Sequence, residues 1–243
     1  MKYGRLPAKI DSRTLQYEKY ALSSLPSPLI SCSSLYRMQY ELKIEDCVPL
    51  FPMDGNDLLG NCTCAGLAHL ITLWDGLIGK QTVMPADDVV ALYKKLTGGP
   101  DTGLACIDVL NYWVNNEING HKPLGYVAID PTNITHVKQA VDIFGSVYVG
   151  FKTQSDTLPY FHQGITWQPG QTDNDGHCVV VTAYSPDCVR VLTWGGTQLG
   201  TWDWFTHMVD ECFCVLPDEA TVNTFAPRFD LATLQADLQL IRG

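Results

Sequence analysis

Two residues in this sequence are placed to carry out acyl transfer. The first is Cys62, which follows a Gly60-Asn61 turn and opens an apolar run reaching to about position 79. A helix over 61–79 would be buried on most sides, because its apolar residues fall nearly all the way round. At its first position a thiol meets free backbone N–H groups and the positive end of the helix dipole, both of which favour thiolate. Thiolate is the nucleophilic form, and the same N–H groups can help hold an oxyanion. A cysteine that only starts a helix would have the same neighbours, so Cys62 alone does not decide the matter. The second residue is His177. It follows a polar stretch, 171–176, read as a flexible loop, and begins the apolar strand His177-Cys178-Val179-Val180-Val181. Gly176 lets another segment come close, and a histidine at a strand mouth faces a cleft, where imidazole can act as the base for a thiol.

The other histidines compete poorly. His69 lies two turns along the Cys62 helix, about 10 Å away along its axis, and His121, His136, His162 and His207 have no supporting pattern. Asp173-Asn174-Asp175-Gly176 matches part of a calcium loop, but the full frame puts Gln171 and Thr182 at its first and last ligand positions, so calcium is rejected. The C-x-C pairs Cys62/Cys64 and Cys212/Cys214 do not have the usual zinc spacing and lack a second pair with histidine nearby. No metal or cofactor is expected. The nine cysteines read as thiols, small apolar residues on buried elements.

The elements that must position these groups follow from periodicity and punctuation. Pro85-Ala86-Asp87-Asp88 opens a helix that stops at Gly98-Gly99. Further helices are predicted over 104–116, 133–144 (closed by Gly145) and 231–241. Strands are predicted over 125–129, 146–152, 177–184, 188–194 and 211–216, with Ser185-Pro186-Asp187 turning a hairpin between the third and fourth. Helices before antiparallel strands imply an α+β protein in two lobes. Residues 1–50, with turn formers spaced through 22–34, read as an extended N-terminal arm ahead of a domain over 51–243.

Gly60-Asn61-Cys62-Thr63-Cys64-Ala65, then Gly176-His177-Cys178-Val179-Val180-Val181, then Leu192-Thr193-Trp194-Gly195-Gly196 together resemble the papain-like cysteine peptidase superfamily. The chain is more similar to its divergent bacterial and phage-encoded branch, whose cysteine motif reads roughly N-D-x-L-G-D-C-T. The anchoring segments are 56–74 and 176–216; KYGRLPA near the start is also similar. The resemblance implies a two-lobed fold, a helical lobe carrying the nucleophile helix and an antiparallel β lobe. It implies Cys62 as nucleophile and His177 as base. Papain-like enzymes carry a glutamine six residues before the nucleophile as oxyanion donor; here Asn56 stands there, the same amide on a shorter stem. They also carry an asparagine before Ser-Trp-Gly to orient the imidazole. Here Leu192 aligns with it, and Thr193 beside it is the nearest polar group, expected to bring its hydroxyl near Nδ1 of His177 with Trp194 packed over the pair.

The implied activity is a cysteine peptidase or amidase working through an acyl-enzyme on a peptide or protein substrate. Two alternatives stand beside it. One is a weak or inactive papain-like body reused for structure or interaction, as in a phage virion component. The other is a cell-wall peptide hydrolase or acyltransferase of another Cys-His family, although those place histidine much nearer the cysteine.

The composition bounds partners. A net charge of −10 argues against a nucleic-acid surface. The first fifty residues carry seven basic and five acidic side chains, so a mildly basic arm precedes an acidic body and could contact its own body or a neighbouring subunit in an assembly. No apolar stretch approaches the roughly 18 residues of a membrane span, and the N-terminus does not read as a secretory signal. The expected location is the cytoplasm, or a virion for a phage-encoded chain.

Overall fold

The apolar run after Cys62 is a helix in the computed structural model, which describes residues 1–22, 51–77, 80, 82–217 and 229–242. This helix, α1 (Cys62–Leu77), is buried at every residue from 62 to 75. Its two ionisable polar residues are paired: His69 lies 3.3 Å from Asp54, and Asp75 lies 3.2 Å from His121. Against it pack α2 (Ala86–Thr97) and α3 (Cys106–Asn115). Asp87 and Asp88 sit at the positive end of α2, Lys94 and Lys95 at its negative end, and Gly98 closes it in the left-handed conformation with φ 74°. Trp74 of α1 stacks on Trp113 of α3 with ring centres 5.1 Å apart.

Among the described residues the β part is a six-stranded sheet in the order β1-β6-β2-β3-β4-β5, antiparallel at every pairing. Its strands are β1 (Gly125–Ala128), β2 (Val147–Gln154), β3 (Thr172–Tyr184), β4 (Cys188–Thr193), β5 (Gly196–Thr201) and β6 (Val209–Leu216). Side chains alternate between the two faces. Tyr148, Cys178, Val180, Leu192 and Phe213 meet the helical lobe, while Val149, Phe151, Val179, Val181 and Cys212 meet a second core. That second core takes in α4 (Ile134–Phe144), α6 (Trp202–Met208) and α7 (Leu231–Arg242). Both faces are covered, which is why the strands read as nearly continuous apolar runs. The α+β class and two-lobed arrangement are as the sequence implies.

The structure departs from the sequence reading in several elements of the β lobe. The stretch 171–176 is not a loop: β3 begins at Thr172, and its polar start pairs through the backbone with Lys152 and Gln154 of β2. Backbone pairing does not require apolar side chains, so a polar strand leaves no periodic signal. The sequence also gave no sign of β5, α6 and the short α5 (Thr157–Gln163). The turn from β4 into β5 is the pair Trp194-Gly195, both at positive φ (46° and 70°), the backbone of a two-residue hairpin. Of the arm expected over 1–50, positions 23–50 lie outside the described residues. Among the described residues no helix is long and apolar enough to cross a membrane.

Candidate active site

The turn that delivers Cys62 is held from both sides. Asp54 and Gly55 take left-handed conformations (φ 53° and 79°), and the Asn61 side-chain amide donates to the Asp54 carbonyl at 2.7 Å. The Asn61 carbonyl accepts from the N–H groups of Cys64 and Ala65, so the helix proper starts at Cys62. Gly60 N–H donates to Asp101 at 2.9 Å, and Asp101 is itself held by Tyr93 and Lys2. The backbone N–H groups of Cys178, the residue after His177, and of Thr63 lie close enough to the Cys62 thiol to work against its rise in pKa. The start of α1 is tied to the sheet by Tyr148 of β2, whose hydroxyl donates to the Thr63 carbonyl at 2.7 Å.

His177 is 1% exposed and stacks flat on Trp194, with ring centres 4.2 Å apart and an interplanar angle of 16°. Phe151 and Tyr3 close its edges at 5.7 and 5.9 Å. Thr193 Oγ1 lies 2.7 Å from the imidazole, but at Nε2 and not at the expected Nδ1. The ring is fixed by the Trp194 stack, and the residue before the β4–β5 turn reaches its far nitrogen. With Nε2–H donating to the hydroxyl, Nδ1 keeps the lone pair that a base needs. Nδ1 is buried and has no hydrogen-bond partner among the described residues, so no hydrogen bond joins thiol and imidazole in this state.

Asn56 is 2% exposed, and its side-chain amide donates to the Leu59 carbonyl at 3.0 Å and to the Lys2 carbonyl at 3.2 Å. Trp194 Nε1–H donates to that same Lys2 carbonyl at 3.3 Å. A feature absent from the sequence reading explains this: residues 2–6 run across the site. Lys2 N–H donates to Asn56, the N–H groups of Gly4 and Arg5 to Gly176, and Leu6 N–H to Leu104. The segment fits only because glycines face each other: a Cβ on Gly4 would lie 1.9 Å from the Gly60 oxygen. Long-range fit of this kind has no local pattern, which is why the sequence did not disclose it.

Enclosure sets the protonation states. Burial, and after it the adjacent Cys178, pushes the Cys62 thiol up to about 12 against the two N–H donors and the Arg5 charge. Burial, and after it Arg5, holds His177 down to about 3. At neutral pH both groups are therefore uncharged, and the state described is a closed one. Cys64 lies fully buried on α1 with its pKa raised, chiefly by burial. Among the described residues no three His, Cys, Asp or Glu side chains converge to hold a metal.

The orienting bond gives a direct test. Thr193→Val keeps the shape and removes the hydroxyl, leaving a buried Nε2–H unpaired, at roughly 1–3 kcal/mol of stability. Any turnover should fall by about tenfold or more, since loss of the third group frees the ring to rotate or change tautomer. Unchanged kcat in a folded Thr193→Val protein would leave His177 without need of an orienting partner.

This architecture, a buried helix opened by cysteine and an antiparallel sheet presenting histidine, is the papain-like cysteine protease fold. Solved structures share it. Xylellain, a cysteine protease from Xylella fastidiosa, matches at TM-score 0.62 and 14% identity over 89% of this chain and 96% of its own. The cysteine protease and lectin-like domains of Cwp84, a surface layer associated protein of Clostridium difficile, match at TM-score 0.51 and 12% identity, covering 67% of this chain and 48% of that one. Digestive procathepsin L 3 of Tenebrio molitor larval midgut matches at TM-score 0.51 and 11% identity, covering 88% and 74%. No family model and no curated protein sequence matches the chain.

Proposed function

We propose that the protein is a papain-like cysteine hydrolase, a peptidase or amidase, in which Cys62 attacks the carbonyl and His177 moves the proton. The observation that carries this reading is the imidazole itself, held at Nε2 by Thr193 under Trp194 and left with an unpaired, buried Nδ1, one residue from Cys178, whose backbone N–H acts on the Cys62 thiol. In the reaction, Nδ1 takes the thiol proton as sulfur bonds to the substrate carbon, and the resulting imidazolium gives that proton to the leaving amine. Water, activated by the same nitrogen, then releases the acyl group. The Cys62 N–H and the Asn56 amide are the candidate oxyanion donors. Asn56 and Trp194 already converge on a peptide carbonyl, that of Lys2, which supports a peptide-binding role for this end of the cleft.

The test is covalent capture. A peptidyl acyloxymethyl ketone should add one equivalent to the folded protein, located at Cys62, and His177→Ala should prevent it. Absence of the adduct, both in the full chain and in a variant with residues 2–6 loosened, would favour an inactive scaffold of the same fold.

A further inference from the structure

The candidate oxyanion donor Asn56 sits on a stem one carbon–carbon bond shorter than that of glutamine, about 1.5 Å. Its amide meets a reacting carbonyl only where the backbone that carries it is drawn in and held. That backbone is a turn. Asp54 and Gly55 take left-handed conformations, Asn56 N–H donates to Met53, and the N–H groups of Leu58 and Leu59 donate to Gly55. Bonds within a turn do not fix its distance from α1. We propose that His69 and Asp54 are positioning residues that clamp this turn to the Cys62 helix and so aim the Asn56 amide at the oxyanion. The proposal rests on the hydrolase reading above and adds to it the residues that set the donor.

His69 projects from α1 two turns after Cys62. Its Nε2 lies 3.0 Å from the Pro52 carbonyl, and since a carbonyl only accepts, Nε2 carries the hydrogen. The same nitrogen lies 3.3 Å from the Asp54 carboxylate. One ring thus grips the chain at Pro52 and at Asp54, and the Phe51 ring stands at right angles to it with centres 5.6 Å apart. Asp54 is 1% exposed and His69 3%, and neither carboxylate oxygen has a hydrogen bond among the described residues. A carboxylate enclosed in this way is costly to part from the group that faces it, so the contact resists stretching.

The turn is held between two rigid bodies. On one side residues 51–53 rest on the β4–β5 hairpin, where a Cβ on Gly195 would stand 3.3 Å from Met53 N and 3.4 Å from the Phe51 oxygen. Strand pairing already fixes that hairpin. On the other side is α1, reached through His69 and through the Asn61 side-chain amide, which donates to the Asp54 carbonyl at 2.7 Å. Of the two Asn56 amide hydrogens, one stays within the turn on Leu59. The other, on the Lys2 carbonyl at 3.2 Å, is the one a substrate oxygen would take.

The experiment compares three measurements on the full chain: hydrolysis of a peptide anilide, alkylation of Cys62 by iodoacetamide, and hydrogen exchange over residues 51–61. Alkylation uses thiol and imidazole but forms no oxyanion, so it separates the donor from the rest of the site. His69→Leu keeps the bulk and removes the N–H. It should lower kcat by about tenfold to a hundredfold with KM little changed, since the lost aim acts in the transition state. Alkylation should stay within about threefold of the parent, while exchange over 51–61 quickens at least tenfold as the turn loosens. His69→Gln, whose amide can donate to the same acceptors, should recover most of both losses. In an Asn56→Ala background, His69→Leu should cost less than about twofold more, because the two residues act as one unit. Should His69→Leu fail to fold, Asp54→Asn keeps a residue tolerant of the left-handed turn and should give the same pattern in smaller measure. Additive losses, or equal slowing of hydrolysis and alkylation, overturn the positioning role. Absence of hydrolysis in the full chain and with residues 2–6 loosened removes the hydrolase reading, and exchange then decides the clamp alone. Exchange that is faster in His69→Leu and restored in His69→Gln upholds it, and unchanged exchange overturns it.

Discussion

Replacing Cys62 with alanine should abolish peptide hydrolysis, lowering turnover on the order of 10⁴-fold or more, since removing a nucleophile leaves only binding and oxyanion stabilisation. The fold should survive. Cys62 is buried, so alanine loses the packing of one sulfur, a change within the usual range of about 1 kcal/mol for point substitutions. Cys64→Ala is the matched control. It removes an equally buried thiol from the same turn of α1, turned about 200° round the helix axis from residue 62. Packing loss is thus comparable in the two variants, and chemistry separates them: Cys64→Ala should keep turnover close to that of the parent. Equal losses would trace the effect to the start of α1 and not to a nucleophile. Melting temperatures measured beside kcat distinguish these outcomes.

The two thiols also show what could be read before the structure. The Cys62 helix was legible because burial on all sides leaves an unbroken apolar run, and its start because Gly-Asn precedes it. The His177 strand and its partner through Ser185-Pro186-Asp187 were legible for the same reasons, a continuous apolar run and a turn signal. Thr193 was found by its place before Trp194-Gly195, but the ring nitrogen it meets was not, since that depends on how Trp194 turns at positive φ and stacks on the imidazole. The polar start of β3 was missed because backbone pairing alone holds it. Residues 2–6 were hardest. Their place is set by Gly4 against Gly60, Gly103 against Gly4, and Arg5 against Gly150, Gly176 and Glu211, contacts that span most of the chain. Each glycine read alone is an ordinary turn former.

Those same contacts make Gly4→Ala the substitution with the largest expected effect on access to the site. Its added Cβ would stand 1.9 Å from the Gly60 oxygen and 2.2 Å from the Gly60 carbon, both backbone atoms of the turn that leads into Cys62. That turn is tied to Asp101 and to the buried start of α1, so the N-terminal segment is the part that can yield. Lifting it removes Tyr3 from His177 and the Lys2 carbonyl from Asn56 and Trp194, and admits water to both reacting groups. Burial is the first cause of both displaced pKa values. Opening should therefore bring the Cys62 thiol down from about 12 and His177 up from about 3, each toward its ordinary range. Both movements increase the thiolate–imidazolium fraction at pH 6. Alkylation of Cys62 by iodoacetamide at that pH, followed by intact mass, should be at least tenfold faster in Gly4→Ala than in the parent chain. Melting should come at lower temperature, because the Arg5–Glu211 pair is strained or lost. Slow alkylation in a destabilised Gly4→Ala protein would mean that the Gly60 turn gives way while the segment stays, and that residues 2–6 are a fixed part of the cleft wall. Fast alkylation with the expected loss of stability would identify them as a displaceable cover over a working thiol.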